Sequence, residues 1–138
     1  MQQFNPYAHQ ALRGMQSDRV QRAYMVAMEF VLTANQYLRD KSQELSDEGD
    51  FILHALRVIS FTGPFRLQLS DANGASLSNT LIDYQAFTSA AGVGVPFPII
   101  PELVFPRSSK ISVSILDTSG AANTVRLLFQ GVLVGRIQ

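Results

Sequence analysis

Two histidines, an acidic turn and a pair of glycines are the residues whose types could do chemistry, and their spacing decides what each could do. His9 and His54 stand far apart, one in a polar N-terminal stretch and one inside an apolar run. A zinc site needs three or four ligands, and neither histidine has others at coordinating spacing. Each reads as an ordinary surface or core imidazole. Ser46, Asp47, Glu48 and Asp50 crowd oxygens into one turn but lack the spaced ligand series of a calcium loop. A solvated turn is the expectation, with cation binding there left open. Gly92 and Gly94, in AAGVGVP, share only their glycines with a phosphate-cradling loop: no lysine follows, and prolines stand where a helix would have to begin. No serine sits in a G-x-S-x-G turn, and there is no cysteine to act as nucleophile, zinc thiolate or disulfide. The expectation is a protein that is not an enzyme, with no catalytic residue, no cofactor and no metal.

Architecture is more legible than chemistry. Ile111, Val113 and Ile115 alternate with Ser112 and Ser114, the period-2 signature of a strand with one buried and one wet face. Asp117, Ser119, Gly120 and Asn123 supply turn chemistry, after which Val125, Leu127, Phe129 and Leu133 resume the alternation. The two runs read as a β-hairpin, which is marginal alone and needs other strands to cover its apolar face. Phe65, Leu67 and Leu69 alternate with Arg66 and Gln68, and residues 51–60 form a run with few polar interruptions, as expected near the middle of a sheet. After a turn at Asn35 and Gln36, residues 37–45 read as a polar edge strand, and residues 76–79 can pair as a short one. Residues 20–33 fit a helix face and a strand face equally well. Phe30, Val31 and Thr33 tip the balance to a strand from about Val26 to Ala34. Runs spaced roughly ten residues apart, with turn signals between them, predict an all-β, jelly-roll-like antiparallel β-sandwich.

Two segments stand apart. Residues 1–22 are mostly polar and read as an N-terminal arm, extended or partly helical, ahead of a β-sandwich domain at 23–138. Phe4, Tyr7, Leu12 and Met15 are candidate anchors of that arm on another surface. Prolines 96, 98, 101 and 106 make residues 88–106 an extended connection or an edge segment, because proline donates nothing to a ladder. Phe97, Ile99, Ile100, Leu103, Val104 and Phe105 are too many large apolar side chains for a solvated loop. Either they cap the sandwich, or the stiffened backbone presents them to a partner. Phe97, Ile99 and Ile100 join the four arm residues as candidate partner contacts.

Composition narrows the partners. Apolar residues make up 46% and charged residues 16%, and eleven basic side chains balance eleven acidic ones. With no net field and no basic cluster, neither nucleic acid nor an anionic membrane surface is an expected partner. No apolar run approaches membrane-spanning length, and the N-terminal MQQFNPYAHQ lacks a secretion signal's basic-then-apolar pattern. A sparsely charged surface suits contact with other protein, including further copies of the same chain.

Several stretches together resemble a group of small virion proteins of tailed bacteriophages. Members share a DADF strand start, here Glu48, Gly49, Asp50 and Phe51, with glycine at its second position. They also share an F-x-hydrophobic-x-hydrophobic-x-D-x-x-G hairpin at residues 65–74, a PFP loop at 96–98 and a D-x-SG-x-x-N turn at 117–123. The resemblance spans everything beyond the arm, and its motifs are strand and turn chemistry. It implies a virion structural protein made in the host cytoplasm, first of all a capsid cement or decoration protein. Its partners would be the major capsid protein or other virion proteins, and itself as a homo-oligomer, dimer or trimer. The alternatives are a neck, tail or baseplate component, or a receptor- or carbohydrate-binding module, for which a chain with no tryptophan and four tyrosines offers little.

Overall fold

In the computed structural model, which describes residues 19–88 and 95–136, the alternating runs are β-strands. Among the described residues these are β1 (Arg19–Leu32), β2 (Tyr37–Glu44), β3 (Asp50–Phe61), β4 (Phe65–Ser70), β5 (Ile82–Asp83), β6 (Phe97–Phe105), β7 (Lys110–Asp117) and β8 (Asn123–Arg136). A single 3-10 turn, Tyr84–Ala86, follows β5. The strands form two four-stranded antiparallel sheets, ordered β1-β8-β3-β6 and β2-β7-β4-β5. Apart from the step from β4 to β5, each strand is followed by one in the opposite sheet. The result is an all-β antiparallel sandwich, as the strand spacing predicts.

Alternation sends every second side chain into the space between the sheets. The first sheet contributes Val26, Met28, Phe30 and Leu32 from β1, Phe51, Leu53, Leu56 and Val58 from β3, and Val125, Leu127, Phe129 and Leu133 from β8. Phe65, Leu67, Leu69, Ile111, Val113 and Ile115 face them from the second sheet. β3 lies inside its sheet and β2 at an edge, as their apolar and polar compositions predict. β6 is the other edge of the first sheet, the only kind of place its prolines allow. At Gly131, β8 runs so close to β3 that a Cβ would sit 1.9 Å from the Ile52 carbonyl oxygen. Only glycine fits, and β3 has a register shift beside it, between Leu53 and Ala55.

Four expectations change. β7 and β8 are not a hairpin: β7 pairs with β2 and β4, while β8 pairs with β1 and β3. The turn between them is an arch carrying the chain from one sheet to the other. β1 begins at Arg19, ahead of Val26, and so includes residues 19–22 that the sequence reading places in the arm. Its register with β8 is unbroken from Arg19 to Leu32, and this continuous ladder overrides the helical preference of Ala and Met. Ser114, expected on a wet face, is buried because the irregular part of β2 closes over it; the Asp40 amide donates to its hydroxyl at 3.0 Å. The stretch 76–79 forms only one bridge, Ser76 to Ser70. The rest of the arm, with Phe4, Tyr7, His9, Leu12 and Met15, lies outside the described residues, as do Gly92 and Gly94.

The faces of β8 provide a direct check. Phe129 is fully buried, whereas the neighbouring Arg126 lies on the outer face in an exposed ion pair with Glu29. Phe129→Ala should cost about 3–5 kcal/mol, the range for a buried aromatic truncation. Arg126→Ala should cost less than about 1 kcal/mol. Urea unfolding midpoints of the two variants measure the difference, and equal costs would mean that the strand faces are misassigned.

Candidate interaction surface

The outer faces of the two sheets differ in chemistry. Strand pairing aligns Ala23, Val132, Ile52 and Val104 in one row across the first sheet. Neighbouring rows hold Met25, Gln130, Ala55 and Pro98, then Ala27, Leu128 and Arg57. Met25 is 57% exposed and Val104 56%. On the second sheet the corresponding positions are Ser42, Ser112 and Ser70, then Ser114 and Gln68, then Leu116 and Arg66. These three rows of the first sheet are therefore mainly aliphatic, bounded by the polar row Glu29, Arg126 and Ser60, whereas those of the second are mainly hydroxyl and amide, with Ser70 and Ser114 buried. Arg57 is the charged residue within these rows, and among the described residues its buried Nε meets no acceptor. A partner offering a carboxylate or carbonyl beside apolar groups would satisfy it.

The proline-rich stretch divides between the two roles considered for it. Phe97 packs edge-on against Phe87 with ring centroids 5.0 Å apart, and Phe97, Ile99 and Leu103 pack on the core around buried Phe105. These residues cap. Ile100 is 84% exposed and Val104 points away from the core; these residues present. Phe97 and Ile99, with Leu67, Leu69, Ile82 and Phe87, also line an apolar cavity of about 280 Å³ at the open side of the sandwich.

The remaining candidates are dispersed. His54 Nδ1 lies 3.1 Å from the Glu102 carboxylate, half exposed, beside the looped-out segment of β6. The oxygens of the acidic turn have separate tasks: Asp50 accepts from the Arg107 amide at 3.0 Å, Ser46 accepts from the Glu48 amide at 3.1 Å, and Glu48 pairs with Arg22. Among the described residues no three His, Asp or Glu side chains gather as metal ligands would, and no helix is long and apolar enough to cross a membrane.

The densest polar constellation is the Asp117–Asn123 turn. Buried Asp117 accepts hydrogen bonds from the Asn35 amide (2.8 Å), the Ser119 hydroxyl (2.6 Å) and amide (3.1 Å), the Gly120 amide (3.2 Å) and the Asn123 side-chain amide (3.0 Å). Asn123 accepts from the Thr62 and Gly63 amides and donates to the Gly63 and Pro64 carbonyls. Three loops, β1–β2, β3–β4 and β7–β8, are thus tied at one end of the sandwich. Sequence reasoning identifies Asp117 and Asn123 as turn residues and misses this wider role. Their partners lie about 60 to 80 positions away in the chain, and no local signal points to them.

Burial alone would push the Asp117 carboxyl up, but the hydrogen bonds from Ser119, Asn35 and Asn123 outweigh it and hold the group well below the usual carboxylate range. A carboxyl depressed on folding stabilises the fold fully above its unfolded value of about 4, and the contribution is lost as pH falls from there toward the folded value. Asp117→Asn should therefore cost about 2–3 kcal/mol at neutral pH, since the group keeps the shape but loses charge-assisted acceptors. The gap to the parent should narrow below about pH 4. Urea midpoints across pH test this, and a gap that stays constant would exclude the depressed carboxylate as its source.

Comparison with known proteins adds little to this geometry. No family matches the sequence, and no curated protein matches it. Among solved structures, the chain is similar to one from Bacillus endospore appendages, described as a novel family of disulfide-linked pili. Identity is 13% and the TM-score 0.41, over 85% of this chain and 90% of that one. This chain has no cysteine with which to form such a linkage.

Proposed function

We propose that the chain is a virion structural protein that cements or decorates an assembled capsid, docking through the outer face of its first sheet and catalysing no reaction. The observation that carries this reading is the asymmetry of the two outer faces. The sandwich has already filled its interior, yet it keeps Met25, Ala27, Leu128, Val132, Ile52 and Val104 together on one side. Apolar area gains about 25 cal/mol per Å² when a partner removes it from water, so such a face favours association. The bacteriophage-like strand and turn motifs support a virion as the setting. Cementing then works by mass action: many copies prefer the assembled shell to free subunits, and each contact resists rupture.

Rebinding of purified protein to stripped shells tests the proposal. Occupancy should reach hundreds of copies per shell. Val104→Glu, at an exposed position, should weaken binding about tenfold or more, equivalent to about 1.4 kcal/mol. Raising salt from about 0.1 M to about 1 M shortens the screening length from about 10 Å to about 3 Å and should change affinity less than about twofold. A single ring's worth of copies would move the protein to the neck or tail. Release by salt with no effect of Val104→Glu would shift the contact away from this face.

A further inference from the structure

The four outermost strands are not treated alike. An edge strand exposes unpaired backbone donors and acceptors, and proteins blunt such edges with short length, bulges, prolines or charge. β5 is two residues long. β2 breaks register between Leu38 and Lys41, with Asp40 at a φ of 52°, and it is studded with Arg39, Asp40, Lys41 and Glu44. β6 carries Pro98 and Pro101, and its pairing with β3 jumps across residues 99–102. β1 lacks the first three of these, and two of its charged side chains, Arg22 and Glu29, are already paired with Glu48 and Arg126. It runs fourteen residues without proline or bulge, and among the described residues its far edge pairs with nothing.

We propose that β1 pairs with β1 of a second copy of this chain, antiparallel about a two-fold axis at Met25, joining the two first sheets into one eight-stranded sheet. The pattern of side chains carries the choice of partner. The outward row of β1 reads Gln21, Ala23, Met25, Ala27, Glu29, close to a palindrome about Met25. A two-fold interface sets a surface against itself. Here it puts Met25 on Met25, Ala23 on Ala27, and the Gln21 amide opposite the Glu29 carboxylate. Glu29 Oε2 is engaged by Arg126 at 2.6 Å, which leaves the other oxygen for that amide. On the opposite side of the strand Arg22 falls against Met28, and Tyr24 against Val26. No like charges oppose each other. The edge groups available to a partner belong to every second residue, so pairing must match odd positions with odd, and the aliphatic outer faces of the two copies become continuous. The inference stands independently of the capsid assignment.

Light scattering on the full chain tests it. The parent protein should have twice the 15.2 kDa chain mass. Met25→Lys and Met25→Glu should each be monomeric with unchanged circular dichroism, since Met25 lies outside the core, and mixing the two should restore the dimer. The chain has no cysteine, so single cysteines provide a second measurement. Met25→Cys should cross-link to its twin on mild oxidation, because directly opposed residues approach within about 4.5–5.5 Å. Val31→Cys, offset from its own twin, should not. A monomeric parent, a dimer that survives both charge variants, a mixture that stays monomeric, or equal cross-linking at the two positions would each overturn the pairing. So would a monomer whose β1 amides resist hydrogen exchange, because the chain's own residues would then cover the edge.

Discussion

The buried Asp117 carboxylate is the constraint on which the rest of this sandwich depends. The path of this sandwich sends the chain back and forth between two sheets, so most of its loops cannot be stabilised by the strands they join in the way a hairpin turn is. At one end that difficulty is resolved by a single anion and its neighbouring amide: Asp117 and Asn123 satisfy backbone groups of three loops at once. An unpaired charge at that depth would be costly, and the five donors around it turn that cost into a lock with defined geometry. Backbone bonds from Asp117 to Gln36 and from Thr118 to Pro64 complete the tie.

With that end fixed, the two sheets hold a common core and their outer faces are left to differ. The second sheet carries serine and glutamine on its outer side, with Ser70 and Ser114 covered by neighbouring segments and Arg66 and Ser42 exposed. The first presents mainly aliphatic side chains beside a long edge strand without proline or bulge, so apolar area and, among the described residues, unpaired backbone groups lie side by side. Each alone can be tolerated on a soluble surface. Their coincidence on one sheet is what motivates the proposed assembly.

How much could be read beforehand depended on whether a signal was local. Alternation in Phe65–Ser70 and Lys110–Asp117 located strands because side chains on one face repeat every second residue wherever the strand sits. Prolines 98 and 101 restricted their segment to an edge or an extended connection because a missing N–H is lost in any sheet interior. The division of the proline-rich stretch into capping Phe97 and Ile99 and presented Ile100 was not legible, since it depends on which face β3 offers to β6. The same holds for the aliphatic outer face, assembled from β1, β8, β3 and β6, strands widely separated in sequence.

Sequence alone therefore determined the class: all-β, antiparallel, apolar within, turns at Asn35, Asp71 and Asp117, with no motif for catalysis. Only the tertiary structure decided partners. The turn from Asp117 to Asn123 has the composition of a hairpin and is an arch, because turn residues encode a reversal of direction while sheet membership is set by what lies opposite. β1 carried a pattern balanced between helix and strand, and fourteen consecutive residues of β8 settled it. Periodicity and turn chemistry are properties of neighbours in the chain, whereas pairing, burial and the depressed carboxyl of Asp117 are properties of neighbours in space.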